Sequence, residues 1–435
     1  MKQRYFNNKF LNFIFTSDAV EAFVFCVLCA TVFTAGMCHW ILDVGYKYIA
    51  ADRSMGRVDF NWVFWVGAIA TIYYLIRKRS IKFDFALVIL CQTFVLIGVM
   101  DYHEERYDVI SYAWILPMAY ILGKVAVGDD PKTVNYRVEK LYWAMAIGIF
   151  ITGLLDILTD FKYASVLGFR DGQWPSFWLG GIFENRCTYE LGFVLITTAA
   201  GYLIYSSKRN IFCLVFLIQA NLIIQRLDIR VTGRENRLLL PIGLVIFIVL
   251  YVYDNWRYFH AKTKCGVRIG GFAALFVLLC AIVAFRHNWF GLYDRYLNSN
   301  WSSGGGVLTN IRFAYDLSGF KSMLEYPLED YDIYGLQRPH SMLLEYGRVF
   351  DIAVWGLLVL FRLYTIKEAF VLALRKNEYS WIKYLLIPAF VALNLYYSME
   401  PNGYDHRHLW MIGLFLSGMI KGLNNNNVAK NIITL

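Results

Sequence analysis

Four arginines, Arg226, Arg230, Arg234 and Arg237, stand at spacings of four, four and three between two strongly apolar segments. On a helix that spacing brings all four to one face. A guanidinium stays charged at neutral pH and offers forked N–H donors that match phosphate oxygens, so such a stripe at a membrane edge points to a phosphate or pyrophosphate. Two more residues extend this chemistry. Arg312 opens a run ending at Pro327 whose apolar spacing predicts a short amphipathic helix stopped by the proline. His340 follows Arg338 and Pro339 at an expected helix start. Its unperturbed pKa of about 6.5 suits it to take a proton from a hydroxyl.

The elements that must position these residues are membrane helices. Hydrophobic residues make up 58% of the chain and charged ones only 17%, and the apolar residues fall in long blocks. Roughly 20 apolar residues cross a ~30 Å hydrocarbon core. Stretches near that length recur at 19–40, 60–76, 83–100, 109–127, 141–158, 189–206, 210–225, 238–253, 268–285, 350–373, 384–398 and 408–424. The expected fold is an all-α integral membrane protein of about twelve transmembrane helices, one polytopic domain over 1–435. The weakest spans are 109–127, which holds Pro117 and Lys124, and 210–225, which is short and ends in Gln219, Asn221 and Gln225.

Orientation follows from where Lys and Arg gather in short loops. With the N-terminus in the cytoplasm, the basic clusters at 77–82, 132–140, 208–209, 257–264, 375–376 and 421–430 all fall inside, and both termini are cytoplasmic. The opposite side receives the acidic segment 101–108, the arginine stripe and the segment 286–349, a large, partly helical extracytoplasmic loop with a flexible joint at Gly304, Gly305 and Gly306. The first apolar stretch follows Lys2, Arg4 and Lys9 but lacks a small-residue cleavage pattern, so it reads as a retained anchor. Basic loops beside anionic lipid account for the net charge of +9, and no nucleic-acid partner is expected. No Gly-rich phosphate loop and no Cys/His metal spacing is present, so neither cofactor nor metal is expected. Six of the eight cysteines lie inside spans, which leaves no disulfide framework.

Three stretches together resemble the O-antigen polymerase and O-antigen ligase superfamily of bacterial envelope polysaccharide enzymes. Thr232-Gly233-Arg234-Glu235-Asn236-Arg237, entering the apolar run at Leu238, is similar to the family's Thr/Ser-Gly-Ser-Arg run, with Arg234 and Arg237 both candidates for its arginine. Arg312 through Pro327-Leu328 resembles an arginine-led helix ending in a Pro-Leu motif. Pro339 to Gly347 is similar to a His-Asn-x-x-Leu motif followed by glycine, with Ser341 in place of the asparagine. Glu400 before Pro401 is a softer match, and the resemblance covers roughly 180–420.

What the resemblance implies is a metal-independent glycosyltransferase of the GT-C type in the bacterial cytoplasmic (inner) membrane. Its active site would face the periplasm or cell exterior, and its donor would be a glycan on undecaprenyl pyrophosphate. The expected activity is polymerisation of lipid-linked repeat units into O-antigen, capsule or exopolysaccharide with inversion at the anomeric carbon. A chain-length regulator and a flippase are the expected partners, together with membrane lipids. Transfer to lipid A core or protein, the ligase activity, needs the same donor chemistry. In this reading His340 orients or deprotonates the acceptor hydroxyl, while Arg312 with Arg234 or Arg237, and Arg230 beside them, hold the pyrophosphate. Arg338 and Arg186 are supporting cations, and Glu400 is either a helix-flanking carboxylate or the holder of an arginine.

Plainer readings stand beside each of these. Arg226 and Arg230 suit ordinary headgroup contact, Asp228 and Glu235 relieve repulsion along the stripe, and interfacial aromatics such as Trp178, Tyr331 and Tyr334 need no sugar to explain them. Twelve spans with both ends inside also describe many transporters and flippases, yet no internal repeat is visible. An enzyme using a polyprenyl monophosphate sugar would usually show paired acids in the first outer loop, where only Asp43, Asp52 and Asp59 occur, well separated.

Overall fold

The computed structural model describes residues 9–37, 62–78, 84–103, 115–128, 130–167, 173–175, 183–185, 194–206, 235–289, 341–375, 380–399 and 407–431. The protein is α-helical. Its helices are α1 (Lys9–Thr16), α2 (Asp18–Met37), α3 (Trp62–Lys78), α4 (Phe85–His103), α5 (Ile115–Ala126), α6 (Pro131–Leu167), α7 (Ala200–Ser206), α8 (Glu235–Asn255), α9 (Ala261–Arg286), α10 (Met342–Phe350), α11 (Ile352–Leu374), α12 (Lys383–Met399) and α13 (Arg407–Asn431). One antiparallel pair of three-residue strands, β1 (Gln173–Pro175) and β2 (Phe183–Asn185), sits Trp174 opposite Glu184 and departs from the all-α expectation.

The expected span 210–225 and nearly all of the loop 286–349 lie outside the described residues. Each of the other expected spans contains helix. The weak segment 109–127 becomes helical only from Ile115, which places Pro117 in the first turn, where its missing N–H costs no internal bond. The span expected at 141–158 is the middle of a much longer helix. At 37 residues, α6 is about 55 Å long and overshoots a bilayer core. Among the described residues one helix, over Ala261–Ala284, is long and apolar enough to cross a membrane by length and composition, and none of that stretch is buried.

What orders the bundle is a belt of paired charges at one end. Arg137 at the start of α6 pairs with Glu21 of α2, donates to the Tyr74 hydroxyl of α3 at 2.8 Å, and donates through Nε to the Ala126 carbonyl that ends α5 at 2.9 Å. Arg77 of α3 meets Asp18 and Glu21 at 3.0 and 3.2 Å. Asp84, just before α4, caps that helix by accepting from Leu87 N and binds Lys124 near the end of α5. Lys421 of α13 meets Glu368 of α11 at 2.7 Å, and Arg375 donates to the carbonyls of Leu423 and Asn424. Lys383, fully buried at the start of α12, donates to the Arg375 carbonyl and to Asp254 near the end of α8. These links run without a gap from α2 to α8. They therefore gather the starts of α2, α4, α6 and α12 with the ends of α3, α5, α8, α11 and α13, so consecutive helices run in opposite senses.

Close backbone contact fixes the centre. α5 and α13 run parallel, and Gly123, Gly418 and Gly422 lie in their seam. A Cβ on Gly418 would collide with the Tyr120 carbonyl, one on Gly123 with the Phe415 carbonyl, and one on Gly422 with that of Lys124. Small residues allow such approach where helices associate by packing rather than by expulsion of water. Tyr120 and Tyr142 are almost wholly enclosed nearby, and the Tyr142 hydroxyl is satisfied by the Leu195 carbonyl at 2.8 Å.

Gly418→Leu is expected to cost about 3 kcal/mol or more, because the obstacle is backbone that cannot rotate away. Gly356→Leu, where nothing lies within 4 Å of the added Cβ, is expected to leave stability unchanged. Thermal unfolding of the two purified variants checks the contrast.

Candidate functional site

The end of the bundle away from the charged belt is where α10 begins. Ser341 takes the N-cap position with extended backbone (φ −140°, ψ 124°), and its carbonyl accepts from Glu345 N at 2.9 Å. The helix breaks at Asp351, whose carboxylate accepts from Ala353 N at 2.7 Å and so starts α11. Glu345 points inward, 1% exposed, and its two oxygens accept a forked pair of bonds from Arg348 Nε and Nη2. Tyr346 stacks obliquely on Trp410 of α13 with centroids 4.9 Å apart, and Trp410 leans in turn on Phe94 of α4. Thus a short helix is pinned by one aromatic cluster and one buried ion pair.

Between α10, α11, α12 and α13 lies a cleft of about 460 Å³, part of it open to the surroundings. Its wall is mainly apolar, with Met342, Leu343, Leu358, Phe361, Phe390 and Leu416 contributing. One charge faces it. Arg362 stands midway along α11, and a single guanidinium nitrogen makes both of its contacts, to the Asn394 carbonyl at 2.6 Å and to Ser398 Oγ. The local hydroxyls are turned onto their own helices, Ser398 Oγ donating to the Asn394 carbonyl at 2.8 Å and Thr365 Oγ1 to that of Arg362 at 2.9 Å. Among the described residues no carboxylate pairs with Arg362, whereas Arg77, Lys124, Arg137, Arg348, Lys383 and Lys421 all have one. A guanidinium has five N–H donors, so Nε and the other terminal nitrogen remain to meet a ligand.

The residues expected from the sequence to do chemistry fall largely elsewhere. His340, Arg312, Arg338, Arg234, Arg230, Arg186 and Glu400 lie outside the described residues. Arg237 lies in the first turn of α8, so the end of the arginine stripe is helical. The structure brings Met342 and Leu343, two and three positions past His340, to the cleft wall. No protein-family model matches the chain, no curated protein matches it, and no solved structure matches it. Among the described residues no group of three or more His, Cys, Asp or Glu is placed to hold a metal ion.

Arg362 was not among the residues singled out by motif. The signal that finds it is an arginine in the middle of the apolar stretch 350–373, since a charge at that depth is costly and ordinarily functional.

Removing the carboxylate of the buried pair isolates a cation that α10 must then expose or abandon. Glu345→Ala is expected to destabilise by about 3–5 kcal/mol, and adding Arg348→Ala to restore part of the loss. A double-mutant cycle on thermal unfolding in detergent measures the coupling.

Proposed function

We propose that the protein is a multi-pass enzyme of the bacterial cytoplasmic membrane that polymerises lipid-linked oligosaccharide repeat units on the outer face. The observation that carries this reading is the asymmetry of the bundle. One end is closed by mutually paired charges that also ends the basic loops, while the other opens a cleft against the helix that begins immediately after His340. In this reading the closed end is cytoplasmic and about twelve spans alternate across the bilayer, with both termini inside.

The chemistry follows from charge and proton accounting. As the bond between the anomeric carbon and the pyrophosphate breaks, negative charge grows on the phosphate oxygens, and Arg312 with Arg234 or Arg237 stabilises it by forked hydrogen bonds. The acceptor hydroxyl loses its proton to His340 as it attacks from the opposite face, which inverts the anomeric carbon. Neither step needs a metal or a nucleotide. The apolar surroundings strengthen both effects, because charge interactions weaken less there than in water.

Complementation of a strain lacking the gene tests the reading. Wild type is expected to restore a ladder of surface polysaccharide, Arg312→Ala and His340→Ala to leave single repeat units at normal membrane levels, and Arg226→Ala to be mild. If repeat units fail to reach the outer face without the protein, it is a transporter and the reading is wrong.

A further inference from the structure

The geometry points to a ligand for the Arg362 cleft: we propose that it binds the phosphate of a single-chain lipid carrier, with the guanidinium on the phosphate and the first part of the chain against the apolar wall. Three observations lead there. The guanidinium spends one nitrogen on Asn394 and Ser398 and keeps its remaining donors for the cleft. All of the acceptors it meets are neutral, so its charge is uncompensated by any described carboxylate, unlike the paired cations of the belt. The surface that continues from it is apolar, formed by Leu358, Phe361, Phe390 and Leu343. An anion alone would satisfy the first two facts and leave the third without purpose. An apolar chain alone would leave the charge unpaired, which a membrane interior penalises.

Size narrows the ligand further. At ~30 Å³ for a water-sized group, about 460 Å³ holds at most about fifteen such groups. That accommodates one phosphate and the opening units of one chain, whereas a glycerophospholipid would have to place two acyl chains and a glycerol in the same space. Polar side chains lie only on the α12 side of the guanidinium, where Asn394 and Ser398 hold its orientation. They fix the plane of the fork, so the free edge is presented in one direction.

The class of lipid rests on the function proposed above, but the test reads binding and not polymer. Purified full-length protein in detergent is titrated with farnesyl phosphate, and binding is followed by native mass spectrometry and thermal shift. Wild type is expected to bind saturably, farnesol at least tenfold more weakly, and Arg362→Gln to weaken farnesyl phosphate at least tenfold. Leu343→Trp leaves the guanidinium in place and narrows the apolar wall. It is expected to weaken the same probe, and it carries the comparison if Arg362→Gln does not fold. Equal binding of farnesol, wild-type affinity in these variants, or displacement by equimolar dioleoylphosphatidylglycerol overturns the proposal. The two readings fail separately. Normal binding by Arg362→Gln in a protein whose His340→Ala form makes no ladder removes this inference alone, and Arg362-dependent binding beside full polymer in every variant removes the polymerase alone.

Discussion

A charge inside a helical bundle surrounded by lipid has to find its counter-charge within the protein, and this constraint organises the molecule. Removing one partner of a buried pair costs about 3–5 kcal/mol, far more than an exposed pair contributes. Each helix that brings a cation to the belt is therefore tied to the helix that brings the anion. Arg137 is the hub of one group, holding α2, α3 and the end of α5 around the start of α6. Lys383 is the hub of another, joining α12 to α8 and to the last carbonyl of α11. Between them the glycine seam of α5 and α13 brings two backbones close enough that the groups form one structure. The relative depth of the helices follows, because sliding one by a turn would separate several pairs at once.

The opposite end lacks such cross-links among the described residues, and that difference leaves room for a cleft. α10 is held by the Glu345–Arg348 fork and by Tyr346 on Trp410. These contacts fix its inner face and leave Met342 and Leu343 to line open space. A rigid floor and a loosely bounded mouth suit a substrate that arrives sideways from the bilayer with its reacting end in the protein.

Much of the helical framework was legible in the sequence, because an apolar block of about twenty residues has few other fates. Boundaries were less legible where local rules compete. Pro117 delays α5 to Ile115, and α6 continues past its apolar core because Asp156, Asp160 and Lys162 follow one another without any helix-breaking residue. The grouping of basic residues was visible, but their partners were not. Lys124 and Asp84 are forty residues apart and Lys383 and Asp254 over a hundred, and nothing local to either marks the other. Arg362 was visible by type and position alone, although only three dimensions show that neighbours satisfy one of its nitrogens and leave the rest toward a cleft. His340 and most of the arginine stripe were found by order and spacing along the chain, on segments whose arrangement the described residues do not include.

The helix α9 stands apart from this cross-linked interior, joined to α8 by a short turn, with almost every side chain along it exposed. Its apolar stretch of 24 residues is about 36 Å long, several ångströms more than a typical hydrocarbon core. A helix wedged among neighbours takes its tilt from them, but this one has only the lipid to set its angle. Its inclination is then a readout of local bilayer thickness, and its short link to α8 passes that inclination to Asp254, the anion that holds Lys383. The membrane's own dimension thereby becomes one of the forces acting on the protein's most deeply buried charge.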